Sequence, residues 1–93
     1  MPVTAPTLNL NGTSKRALIS EVRAAIHALF EAEAALEKMT VHGRDYQTTD
    51  TPDVHFLQAR KEHRERLAAL TRIREELSAY GEAIAAQGRT VSE

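Results

Sequence analysis

Cysteine and tryptophan are both absent from these 93 residues. Without cysteine there is no disulfide and no thiolate metal site, and the redox compartment is left undetermined. No apolar run approaches the roughly 20 residues that a membrane-spanning helix needs. Neither sign of charge dominates: 12 Lys and Arg stand against 13 Asp and Glu, a formal net charge of −1. That balance predicts no global attraction to DNA or to anionic lipid. Met1 to Asn11 has neither a basic start nor an apolar centre, so it does not read as a secretory signal. A cytoplasmic place of synthesis is the resulting expectation.

Aromatics make up 4% of the chain, with four glycines and three prolines. What fills the sequence instead is Ala, Glu, Leu and Arg, residues that lose little side-chain freedom in a helix. The composition is that of one small all-α domain. A chain this short buries a smaller fraction of its surface than a large one, so its margin of stability is narrow.

Residues 1–12 read as an extended arm. Pro2 and Pro6 oppose a helix there, while Val3, Leu8 and Leu10 alternate with other residues. Such an arm is either a free tail or a segment that docks on a helix or another subunit. Residues 13–88 read as a helical hairpin: a helix over 14–39, a loop over 40–51 and a second helix over 52–87. Thr13 or Ser14 can cap the first helix. Leu18, Val22, Ala25, Leu29, Ala32, Leu36 and Met39 give it a continuous apolar seam, and Ile19, Ile26 and Phe30 form a second ridge beside that seam. Thr51, Pro52 and Asp53 open the second helix, and Gly88 can close it. Its stripe is Leu67, Leu70, Ile73, Leu77, Tyr80 and Ile84, continued backward by His63, Ala59 and Phe56. Gly81 weakens its last turns slightly. Residues 89–93 read as a frayed tail.

A simple antiparallel fold-back from the loop places Leu29 near Glu62 and Leu18 near Ile73. It brings Glu33 and Glu37 toward Arg60, His63, Arg64 and Arg66. At 1.5 Å per residue the helices are about 39 Å and about 54 Å long. In this register the second helix overshoots at its far end, where Tyr80 and Ile84 need cover from the arm or from another subunit. The fold class expected is therefore an all-α antiparallel two-helix hairpin with an extended arm, completed by oligomerisation or by a partner.

The search for chemistry excludes more than it finds. No two of His27, His42, His55 and His63 have the i, i+4 spacing of a helical zinc site. No Glu-x-x-His pair occurs, so the di-iron bundle signature is missing. His63, in line with the apolar stripe, reads as a half-buried histidine paired with Glu33 or Glu37. His42-Gly43-Arg44-Asp45-Tyr46 reads as a structured turn, with Tyr46 packed on Phe56 or Val41 and Asp45 bonded to the loop backbone, or else as a loop that touches a partner. Across Arg60 to Arg66, Glu62 and Glu65 interrupt the basic residues and no aromatics interleave, which disfavours nucleic acid. No catalytic residue, cofactor or metal is expected.

Two motifs carry a resemblance. Leu10-Asn11-Gly12-Thr13-Ser14 and His42-Gly43-Arg44-Asp45-Tyr46, with Glu62 to Leu67, are similar to motifs of small helical-hairpin proteins encoded in tailed-phage and prophage genomes. In those proteins the first motif opens a helix and the second lies in the loop before a longer helix, often with an extra aromatic where this chain has Gln47. The resemblance covers roughly Leu10 to Ala86. It implies a virion or accessory component, and hence a virion as a further location, but no catalytic residue. The expectation is a non-enzymatic structural or interaction protein that self-associates or docks into a larger assembly. Its partner contacts are expected at Arg44, Asp45, Tyr46, Ile19, Ile26, Phe30, Tyr80 and Ile84. A small regulatory module acting on nucleic acid or a host protein is the alternative. No membrane partner is expected.

Overall fold

The computed structural model describes residues 3–48 and 51–87. They form two long helices, α1 (Lys15–Glu37) and α2 (Pro52–Ala86), joined through a short 3-10 turn, Gly43–Tyr46. No strand occurs among the described residues. The chain is an all-α helical hairpin with an extended arm before α1.

The helix ends follow local chemistry. Ser14 has extended backbone and its hydroxyl accepts from the Ala17 amide at 3.1 Å, satisfying one of the free donors of the first turn. At the other end of α1 the Lys38 amide reaches the Ala34 and Ala35 carbonyls at 3.3 and 3.2 Å. Thr51 makes no side-chain cap, in contrast to the sequence expectation. α2 starts instead on Pro52, whose ring presets the helical φ, and on Asp53 in the first turn beside the positive end of the helix dipole. Gly88, expected to close α2, and the tail beyond it lie outside the described residues.

The register differs from the one expected. An ideal Cβ on Gly81 would lie 3.1 Å from Val22 Cγ1, so these residues mark a close approach of the two helices. Farther along, Arg74 Nε donates to Glu33 Oε1 at 2.7 Å, and Lys15 Nζ donates to the Gln87 carbonyl at 2.8 Å. Leu18 therefore does not lie at the height of Ile73, nor Leu29 at that of Glu62. Glu33 meets Arg74 rather than any of Arg60, His63, Arg64 or Arg66. The cause is the connector, which runs back along α2. A Cβ on Gly43 would lie 3.7 Å from the Phe56 ring, and the Tyr46 ring lies 6.3 Å from the Phe56 ring, tilted by 44°. The first turns of α2 are thus occupied by the loop, and α1 pairs with the later ones. The overshoot falls at the loop end of α2, not at the end holding Tyr80 and Ile84.

At the opposite end the arm is tied down. The Leu8 amide donates to Gln87 Oε1 at 3.0 Å, while Gln87 Nε2 donates to the Pro6 carbonyl at 2.7 Å. Along the arm Val3, Ala5, Pro6 and Leu8 are half-buried, whereas Thr4, Thr7 and Leu10 are exposed. Ile84, one turn before Gln87, is the most deeply buried side chain and is fully covered within the chain.

The result is long and thin, 64 × 22 × 19 Å, with a radius of gyration of 19.8 Å. A compact chain of this length would have a radius near 12 Å. Its accessible surface is 7126 Å². A compact monomer of the same mass exposes about 5,400 Å².

Candidate interaction surface

Among the described residues only Val22 and Ile84 of the apolar side chains are buried, and Glu33 joins them as the one buried polar residue. A core of this size stabilises a hairpin weakly, because each fully buried aliphatic side chain contributes only about 1.5–3 kcal/mol. The remaining apolar side chains are partly or fully exposed, Leu10 most of all. Phe30, Met39, Val54 and Leu57 are more than half exposed, and Ile73 is exposed as well.

Glu33 is central to a polar cluster that crosses the hairpin. Its carboxylate accepts from Arg74, and the Arg74 guanidinium lies 4.2 Å above the Phe30 ring. Stacking of guanidinium on an aromatic face adds a cation–π attraction to the ion pair. The Glu33 hydrogen bond holds Arg74 above its usual value, against the opposing effect of burial. The sequence reading expected Glu33 to pair across the hairpin, but with residues nearer the loop than Arg74. The signal that marks it as buried is its spacing, three turns beyond the buried Val22 and four residues beyond Leu29, which puts it on the inward side of α1.

His63 does not pair with Glu33 or Glu37. Its Nδ1 is buried and has no hydrogen-bond partner. In the loop, the His42 ring supplies order: Nδ1 accepts from the Arg44 amide at 3.1 Å, and the Asp45 amide donates to the His42 carbonyl at 3.0 Å. Asp45 and Arg44 themselves are exposed, while Tyr46 is half-buried against Phe56. The Arg60 guanidinium lies over the Phe56 ring, 5.6 Å from its centre. The mixed-charge run neutralises itself in part. Lys61 pairs with Glu65 at 3.8 Å and Arg66 with Glu62 at 3.9 Å, both between exposed side chains.

The expected partner-contact residues therefore divide. Ile19 and Ile26 are half-buried and Phe30 exposed along one edge of α1. Arg44 and Asp45 are displayed at the loop end, far along the rod from them. Tyr80 is half-buried, and Ile84 presents nothing to a partner because its own chain covers it. Sequence reading missed Val54 and Leu57, which stand exposed on the first turns of α2. Their spacing of three marks a shared helix side that neither α1 nor the loop covers.

Two shallow, open depressions mark the surface. One is lined by Lys15, Arg16, Ile19, Ser20 and Arg23 on α1, the other by Arg64, Leu67, Ala68, Thr71, Arg72 and Glu75 on α2. No three His, Asp or Glu side chains converge on a common point among the described residues. No described helix is long and apolar enough to cross a membrane. No protein-family model, curated protein or solved structure matches this chain.

Proposed function

We propose that this chain is a non-enzymatic structural or interaction protein, a helical hairpin that is completed by self-association or by docking into a larger assembly. The thin core carries this reading: among the described residues, two buried apolar side chains stand against six large exposed ones. The surface in excess of a compact monomer is about 1,700 Å², more than the roughly 800 Å² that one partner contributes to an interface of standard size. The two motifs Leu10–Ser14 and His42–Tyr46 add the biological setting, a virion or accessory component of a phage-type system. The displayed loop residues Arg44 and Asp45 are the contacts proposed for a different partner protein at the loop end.

Light scattering over a concentration series tests the reading. A mass above the 10.3 kDa of the single chain is expected, with a melting temperature that rises with concentration. A cooperatively melting monomer at high micromolar concentration, with nothing bound to it, would sink the proposal.

A further inference from the structure

We infer that the side of the hairpin carrying Ile19, Ile26 and Phe30 is the seat of a second copy of this chain, placed by a two-fold axis along the length of the rod. This rests on the association proposed above and narrows it to one occupant and one face. Arg74 identifies which strip of α2 shares that face. Its guanidinium leans over Phe30, so the α2 surface beside it, Thr71 and Ser78 with Glu75 and Glu82 farther out, lies on the Phe30 side of the hairpin. The Thr71 hydroxyl donates to the Leu67 carbonyl at 3.1 Å, so its polar end is satisfied by its own helix.

The charges on the two rims of this face are opposite. Arg16 and Arg23 line the outer edge of α1 beside Ile19. Neither makes an ion pair with a described residue, and neither do Glu75 and Glu82 on the outer edge of α2. All four are exposed. A two-fold along the rod lays α1 of one copy over α2 of the other at the height α2 already has in its own hairpin. The Val22–Gly81 approach fixes that height. Arg23 then meets Glu82 of the second copy, Ile26 meets Ser78, and Ile19 meets Ala85. Glu37 falls within a turn of Arg64. Each match occurs twice by symmetry, and the apolar ridge, half-wet in one chain, becomes the floor of a four-helix bundle.

Charge reversal tests this on the full chain. Arg23→Glu alone, or Glu82→Arg alone, places like charges together twice per dimer. Each is expected to weaken self-association about tenfold or more, read by sedimentation or light scattering. Mixing the two variants, or combining both changes in one chain, restores opposite pairs and is expected to restore association. Circular dichroism of each variant should match the parent, since both positions are exposed on helix surfaces. Association unchanged by either reversal would overturn this face while leaving self-association intact. A parent chain that stays monomeric but melts without cooperativity would overturn the second copy and leave docking on another protein. A monomer that melts cooperatively would overturn both.

Discussion

At the scale of single residues, the cross-hairpin pair decides most. Arg74 bonds Glu33 through Nε and stacks on Phe30, so two attachments depend on one planar group. Lysine offers a compact charge without that plane, so Arg74→Lys is expected to recover only part of what Arg74→Ala loses. Glu33→Gln should destabilise the chain by more than the ~0–1 kcal/mol expected at exposed pairs such as Lys61–Glu65. Urea denaturation of these variants, with a double-mutant cycle over Glu33 and Arg74, measures the coupling. Because Glu33 raises Arg74, the arginine's contribution is complete below its unfolded value and fades only as pH climbs past the folded one. From the arginine side, stability is therefore flat through the neutral range. Gly81 makes a second point. In a free helix, alanine there would gain about 1 kcal/mol of propensity. Its Cβ would meet Val22 Cγ1 at 3.1 Å, and a β-branched side chain in a helix has one strongly preferred rotamer with which to yield. Gly81→Ala is expected to realise less than that gain, and Gly81→Val to lose stability by about 1–3 kcal/mol through overpacking. Val22→Ala in the same chain should relieve the crowding, which thermal melts of the single and double variants would show.

At the scale of elements, helix positions were legible and their pairing was not. Seven-residue spacing marks the seam of α1, and Ser14 and Pro52 mark the two helix starts, because capping and backbone chemistry are local. The register depends on what the connector does, and its course is set by contacts between residues distant in the chain. Gly43 and Tyr46 pack on Phe56, which brings the loop back along α2 and displaces α1 toward the C-terminal half. Nothing in the spacing of either helix alone encodes that shift. The candidate surface was half legible for the same reason: the Ile19–Ile26–Phe30 ridge follows from periodicity, but the α2 strip opposite it follows only from the register. The arm gives a check at this scale. Gln87 holds it by both ends of one amide, so Gln87→Ala should free the arm. Faster exchange of the Leu8 amide and quicker proteolysis before Ser14 are the expected signs. Retained protection at Leu8 would mean that apolar contacts alone hold the arm. The loop-end turns of α2 carry exposed Val54 and Leu57 and have no α1 beside them. Amides over 54–62 are accordingly expected to exchange faster than those over 70–84.

At the scale of the whole molecule, the shape separates the ways in which two copies can meet. One chain is 64 Å long and about a third as wide. A two-fold along the rod keeps both loops at one end and both arms at the other, and adds only to the cross-section. A two-fold across the rod stacks α1 on α1 and α2 on α2 and sends the slender loop ends of α2 outward in opposite directions, so the particle lengthens. The thick part of each chain, where α1 and α2 lie side by side, would overlap its counterpart, and the loop-end overshoot would project at both ends. Small-angle scattering of the dimer distinguishes them. The proposed arrangement predicts a maximum dimension close to that of one chain, with a cross-sectional radius increased by the added hairpin. A markedly longer particle at twice the mass would place the axis across the rod instead. In that case Arg23 and Glu82 would no longer face each other, and mixing the two charge-reversed variants would not restore association.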